Sequence, residues 1–436
     1  VTEAEWVGCQ DATAMLRFLR GKAGERKLRL LACVCARSRW SGLVEPEYRR
    51  AVEVAERVAD SRGGLQDLRA ADSDIWEITW GIVRGDADAN EAAAAAVEDF
   101  SGEAAERAVG ALRAAGPAMV REILGNPFRE ATASHGGAEV GSEKLQQLAQ
   151  EIYDGHHFEN LSHLADLLTV AGCRDEELLA HLRSPGPHFR GCWALDSVLG
   201  KGQGKAPVTD EEWRDDPHPF RLLRWWRYFR GEESQRKRRL LACACCRLFW
   251  GHLSDACLRR AVELAEGFAD GRVGPGELAR AHEHALALAT SRGRRLSQMG
   301  NDNPEWVGLA TAWRAASAAA SVSGPEGSPL ENALHAAAQD GGHGRDTEDA
   351  GQAALVRDVL GNPVRPVVQD PAWPRGGAVR EVAQAIYDGK RFEDLAILAD
   401  ALEEAGCSDA AILEHFRGPG PHVRGCWAVD LLLGRP

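Results

Sequence analysis

The sequence predicts an all-α fold built as two homologous helical domains in tandem. Three observations carry that expectation. Alanine, leucine, arginine and glutamate dominate the 436 residues, against only four tyrosines, a mixture that favours helix over sheet. Apolar residues recur at helical spacing, and no run alternates with a period of two for long enough to demand a strand. Most of the chain, finally, is written twice.

The repetition is read from aligned phrases. "RKLRLLACVCARSRW" (Arg26–Trp40) realigns with "RKRRLLACACCRLFW" (Arg236–Trp250) at an offset of 210. "RRAVEVAERVADSR" matches "RRAVELAEGFADGR" at the same offset. "REILGNPFR" from Arg121 matches "RDVLGNPVR" from Arg357 at 236, and "IYDGHHFENLSHLADLL" matches "IYDGKRFEDLAILADAL" at 234. The closing phrases, "SPGPHFRGCWALDSVLG" and "GPGPHVRGCWAVDLLLG", also lie 234 apart. Copy 1 spans 1–201, a Gly/Lys-rich linker covers 202–208, and copy 2 spans 209–436. Copy 2 carries an insertion of 26 residues before Val356, within 297–352. Units of about 200 residues are domains, not solenoid repeats of 20–50.

Each element has a local reason. Glu3 and Glu5 suit the start of a short helix over Thr2–Gly8, and Asp11 can cap the next, ending near Gly21. "KLRLLACVCA" is apolar nearly all round, so it reads as the buried central helix. "PEYRRAVEVAERVAD" keeps Ala51, Val54, Ala55 and Val58 on one face, with Pro46 at a first helical position. Alanine-rich helices follow at Ala92–Val97 and Ala104–Ala115. Gly125-Asn126-Pro127 is a stop. "FENLSHLADLLTVAG" is amphipathic, with Gly172 as its end, and Asp175–Arg183 is a short helix. In the closing phrase, Pro185-Gly186-Pro187 turns the chain and His188 opens the last helix. Gly191 allows close approach, Trp193 is an anchor, and Gly200 is the cap. Within the insertion, Gly-, Pro- and Asp-rich stretches favour loops around one helix at Trp306–Ser321.

Composition narrows function. The net charge of −13 requires any nucleic-acid face to be local. No apolar run reaches the ~18 residues of a membrane span. "VTEAEWVGCQ" has neither a basic start nor an apolar run, so no secretory signal is expected. Eleven cysteines, mostly inside apolar helical patterns, suit reduced thiols in a cytoplasmic protein. No phosphate loop, dinucleotide fingerprint, GxSxG elbow or HExxH appears, so no cofactor is expected.

The candidate site residues are those of the closing phrases: His188, Arg190, Cys192, Trp193 and Asp196, with His422, Arg424, Cys426, Trp427 and Asp430 as twins. Asp166 and Asp400 join them as carboxylates inside apolar helices, which need exposure or a partner. Arg190 and Arg424, read as first-turn residues opposed by the helix dipole, are expected to bridge Asp166 and Asp400. Asp196 and Asp430 fall on the wrong helical face for that role. Cys33, Cys35, Cys173, Cys192, His181 and His188 all recur in copy 2 and would suit zinc. Cys33 and Cys35, however, point about 200° apart on a helix. The CxxC of Cys243 and Cys246 has Ala36 in copy 1, so no metal is expected. His156-His157 becomes Lys390-Arg391. The stretch 220–239 interleaves basic and aromatic residues. It offers Arg224, Trp225, Trp226, Arg227 and Arg230 as candidate nucleic-acid contacts, unless the tryptophans are core and the arginines a solvated face.

The phrases "LADALEEAGC…HFRGPGPHVRGCWAVDLLLG", "RKLRLLACVCARSRW" and "LGNPFR" resemble an uncharacterised domain abundant in planctomycete-type bacterial proteins. The resemblance covers most of both copies and implies no activity, cofactor or catalytic residue. Copy 1 departs from it at "HLADLLTVAGC" and at His156-His157. The expected role is a non-enzymatic cytoplasmic scaffold whose partner is another protein. The alternatives are nucleic-acid or acidic-partner binding through 220–239, and an enzyme using the repeated His, Arg, Cys and Asp.

Overall fold

A computed structural model describes residues 1–435 apart from 80–83, 99, 113–115, 130–142, 203, 205, 207, 232, 300–302, 304, 325–329, 331–332, 335–344, 369–372 and 374–377. The described residues form helices and their connections, with no strand. None of these helices is long and apolar enough to cross a membrane. The chain divides into two compact units, Val1–Pro207 and Val208–Pro436.

The first unit is organised around the helix Glu25–Arg37, whose residues Lys27 to Ala36 are all buried. A helix with no polar face has nowhere to lie but inside. The alanine-rich helices Ala87–Ala96 and Ser101–Leu112 pack on it, as does Pro46–Ala59. Their small side chains let helix axes come close. One charge inside this core is directed to a helix end: Arg29 Nη1 donates to the carbonyls of Ala96 (2.9 Å) and Glu98 (2.8 Å). There it supplies hydrogen bonds that a helix C-terminus lacks. In the second unit the core helix is Gln235–Leu248. Arg239 Nη1 meets the carbonyls of Val322 (2.5 Å) and Gly324 (3.0 Å), at the end of the alanine-rich helix Trp306–Ser323.

The second half of each unit has its own apolar cluster. In unit 1 it is built by Glu143–Gly155, Leu161–Val170, Glu176–Arg183 and Trp193–Leu199. In unit 2 it is built by Ala378–Gly389, Leu395–Glu404, Ala410–Arg417 and Trp427–Leu433. Sequence signals mark the ends of these helices. The Asp175 carboxylate accepts from the Leu178 amide, and Gly200 and Gly434 close the last helices in the left-handed region, at φ 64° and 67°.

The closing helix starts at Trp193, not at His188. His188, Phe189 and Arg190 form an irregular segment before it, and so do their twins before Trp427. The reason is local. Gly191 sits at φ +90° and Gly425 at +94°, outside helical conformation. The backbone groups are engaged elsewhere: the Phe189 amide donates to Glu122, and the Gly191 carbonyl accepts from Lys27. What approaches Gly191 is a core-helix side chain, since a Cβ there would lie 2.8 Å from Leu30 Cδ1. The Gly186–Pro187 and Gly420–Pro421 peptide bonds are both cis.

In unit 2 the counterpart of the helix that starts at Leu65 is Pro275–Ser297, with 23 residues. The alanine-rich helix expected at Trp306–Ser321 runs over Trp306–Ser323. The loops expected at 300–304 and 323–329 fall largely on residues outside those described, whereas the last of the loop stretches, 341–351, is helical from Arg345 onward, within Arg345–Leu360.

Gly191→Ala combines a positive φ with a collision against Leu30. It should destabilise unit 1 by about 1–3 kcal/mol in urea unfolding. Gly202→Ala, whose added Cβ meets nothing within 4 Å, should stay within ~0.5 kcal/mol.

Candidate functional site

Two polar clusters lie between the halves of each unit. The first is an ion network. Arg26 grips Asp196 with two parallel hydrogen bonds, Nη1 to Oδ2 at 2.6 Å and Nη2 to Oδ1 at 3.0 Å. Its Nε donates to Asp60 Oδ1 at 3.0 Å, and Nη2 donates to the Tyr153 hydroxyl at 2.7 Å. That hydroxyl donates in turn to Asp60 at 3.0 Å. Lys27 Nζ reaches Asp196 at 2.6 Å and the Gly191 carbonyl at 2.7 Å. Arg190 closes the network on Asp60 through Nε (2.9 Å) and Nη2 (2.7 Å).

Unit 2 repeats this network except at its last member, where Arg424 reaches Asp270 through Nη1 alone and gives Nη2 to the Tyr387 carbonyl. Arg236 meets Asp430 at 2.7 and 3.0 Å, Asp270 at 3.2 Å and the Tyr387 hydroxyl at 2.6 Å. Lys237 is 2.7 Å from Asp430, and Arg424 is 2.9 Å from Asp270. Burial opposes the charge of Arg26, but the Asp196 carboxylate more than reverses this and raises its pKa. Burial likewise works against an ionised Asp60, and the hydrogen bonds from Arg190 overcome it, leaving the carboxyl below its ordinary value. For Lys27, burial outweighs Asp196 and lowers the pKa.

This geometry corrects the expected Arg190–Asp166 and Arg424–Asp400 bridges. Asp166 lies on the solvent side of Leu161–Val170, with a side chain 70% exposed, and pairs with Arg183 at 2.9 Å. Asp400 pairs with Arg417 at 2.8 Å in the same setting. The apolar residues around Asp166 occupy the other face of its helix: Leu161, Leu164, Ala165 and Leu168 are buried. An aspartate within an apolar run need not be buried when the run is amphipathic. Because Arg190 precedes the helix, it reaches Asp60, the C-terminal cap residue of Pro46–Ala59. Asp60 was legible, since "ADSR" and "ADGR" keep it in both copies, and so were Arg26 and Tyr153. Asp196 belongs to the network through Arg26 and Lys27.

The second cluster gathers Glu122, His181, His188 and Cys192, with donor atoms all within 4.8 Å of one another. His181 Nε2 is 3.1 Å from Glu122 Oε2 and 3.2 Å from Cys192 Sγ. His188 Nδ1 is 3.3 Å from Glu122 Oε1. In unit 2, Asp358, His415, His422 and Cys426 form the counterpart. His415 Nε2 lies 3.2 Å from Asp358 and 3.1 Å from Cys426, and His422 Nδ1 lies 2.9 Å from Asp358. Trp193 and Trp427 flank His181 and His415 at ring-centroid distances of 5.0 and 5.1 Å. Gly125 and Gly361 leave room for those indoles, because a Cβ would come within 3.1 and 3.0 Å of them. Burial pushes the thiols of Cys192 and Cys426 well up. A cleft of about 420 Å³ opens beside this cluster in unit 1, lined by Trp6, Met119, Glu122, His181, His188 and Trp193.

The remaining candidates are placed as follows. Cys33 and Cys35 are both fully buried, and neither belongs to the donor cluster. Lys390 pairs with Glu266 at 2.9 Å, and His156 lies 3.8 Å from Glu56, so each answers the same acidic position. In the basic and aromatic stretch, Trp225 is buried, and Trp226 donates its Nε1 proton to the Leu360 carbonyl at 3.0 Å. Arg227 pairs with Glu233 at 3.0 Å, Arg224 is half-buried, and Arg230 alone of the five is exposed. The tryptophans therefore pack rather than offer free faces.

No family model, curated protein or solved structure matches the chain.

Asp196→Ala strands buried Lys27 and Arg26 and should cost about 3–5 kcal/mol in chemical denaturation. Asp400→Ala, at an exposed pair, should cost within ~0.5 kcal/mol. The network also sets an acid limb. Asp60 has a folded pKa below 3.8, so its contribution is complete above that value and disappears as pH falls through the lower folded one. Urea midpoints should drop in that acidic window, and Asp60→Asn should flatten that part of the profile.

Proposed function

We propose that the chain is a duplicated helical domain serving as a non-enzymatic cytoplasmic scaffold whose partner is another protein. One observation carries this reading. The charged residues kept in both copies, Arg26, Lys27, Asp60, Arg190 and Asp196 with their twins, are engaged in bonds within their own unit that link segments up to 194 residues apart. Groups held this way stiffen a framework and are not free to turn over a substrate. The paired distances in the two units support descent from one duplicated sequence. The stretch 220–239 lacks the open aromatic platform that binding to single-stranded nucleic acid uses.

The cleft beside Glu122, His181 and His188 favours a second reading, an enzyme working at that pair of histidines. Two measurements separate the readings. Cross-linking in source cells, followed by calorimetry with the purified partner, should map binding to exposed helix faces. Turnover of a hydrolase or transferase substrate by the purified chain would overturn the scaffold reading.

A further inference from the structure

We propose that each unit binds one zinc-class divalent cation, held by Glu122, His181, His188 and Cys192 in the first and by Asp358, His415, His422 and Cys426 in the second. The ligand set of two imidazoles, one thiolate and one carboxylate is borderline-soft and matches zinc rather than calcium or magnesium. Tetrahedral zinc with bonds of 2.0–2.3 Å needs donor atoms about 3.3–3.8 Å apart. The donors here start between 2.9 and 4.8 Å of one another, so small side-chain adjustments suffice.

The direction of the histidines points the same way. His188 Nε2 lies 3.1 Å from the Ser184 carbonyl, which can only accept. That calls for the proton on Nε2, and in the neutral ring it leaves a lone pair on Nδ1, which faces Glu122 Oε1 at 3.3 Å. In unit 2, His422 Nε2 faces the Gly418 carbonyl at 3.3 Å and Nδ1 faces Asp358 at 2.9 Å. A lone pair set against a carboxylate needs a positive species between them. A proton can satisfy one such contact. A cation satisfies the carboxylate, both rings and the thiolate together. Anchoring one ring nitrogen on a carbonyl while the other points inward is the usual outer arrangement of a metal-binding histidine.

The two copies also change what a metal site tolerates and keep what it needs. Glu122 becomes Asp358, yet the carboxylate reaches both histidines in each unit, through two oxygens in Glu122 and one in Asp358. Ser184 becomes Gly418, yet the carbonyl that orients the ring remains. Four protein donors make a closed, structural site. It would tie the helix Gly116–Leu124, or Arg345–Leu360 in unit 2, to the closing segment. The expectation of no metal rested on Cys33 and Cys35 and on the CxxC of Cys243 and Cys246 that copy 1 lacks, and none of these belongs to the cluster.

The site goes beyond the scaffold reading and stands or falls separately from it. The test uses the full chain purified without a histidine tag. Elemental analysis should find two zinc ions per chain. Cys192→Ser and Cys426→Ser should each weaken one site at least about 100-fold, an expectation set at or above the effect of losing an outer-shell partner, in competition with a chromophoric chelator. Should either variant misfold, the wild-type chain stripped of metal and given cobalt(II) alone provides the readout. It should develop thiolate-to-cobalt charge transfer and the intense visible bands of a tetrahedral ion. No zinc uptake, cobalt spectra without those bands, or affinity unchanged by both substitutions would overturn the proposal. One zinc per chain, sensitive to one substitution only, would overturn it for the other unit.

Discussion

Two buried aspartates in each unit, Asp60 and Asp196 in the first, constrain nearly everything around them. A carboxylate removed from water is costly unless it is paired and fully hydrogen-bonded. Asp196 is answered by Arg26 and Lys27, and Asp60 by Arg26, Arg190 and the Tyr153 hydroxyl. These partners come from the start of the core helix, the middle of the second half and the closing segment. The fold must bring all three together or leave charge stranded. Such networks give little net stability over an apolar alternative, but a misassembled version is heavily penalised. The network therefore selects one packing of the two helical halves.

The twice-written phrase follows from that constraint. In "GPHFRGCWALD", His188 and Cys192 enter the donor cluster, and Arg190 reaches Asp60. Gly191 admits Leu30 and lends its carbonyl to Lys27, Trp193 packs over Gly125, and Asp196 receives Arg26. Nearly every position contacts a segment far away in the chain. The "LGNP" motif is its complement. Gly125 makes room for the indole, and Asn126 bonds Glu3 at 2.7 Å while accepting from the Phe128 amide. Two motifs about 70 residues apart thus form one packed unit.

Polar chemistry within each unit is divided in space. The ion network faces the core helix, and the histidine, cysteine and carboxylate cluster faces the helix Gly116–Leu124. They share the closing segment, where Arg190 serves one and His188 and Cys192 serve the other. The segment before Trp193 is not helical because Gly191 sits at φ +90° and the backbone groups of Phe189 and Gly191 bond to side chains of other segments.

The sequence by itself determined the helical class, the central helix, most helix ends and the residues kept in both copies. Those signals are local: periodicity, capping side chains, glycine at left-handed positions and direct repetition. It also pointed to His181, His188 and Cys192, because all three recur. Glu122 stayed hidden because its counterpart is Asp358, and identity matching passes over an exchange that keeps the carboxylate. Only the tertiary structure decided which charges meet. Arg190 and Asp60 are 130 residues apart, and no spacing rule links them. Asp166 showed the converse, since an apolar neighbourhood in sequence proved to be an exposed face in space. Pairing depends on where helix ends converge, and that is fixed by packing between distant segments, not by the pattern within any one of them.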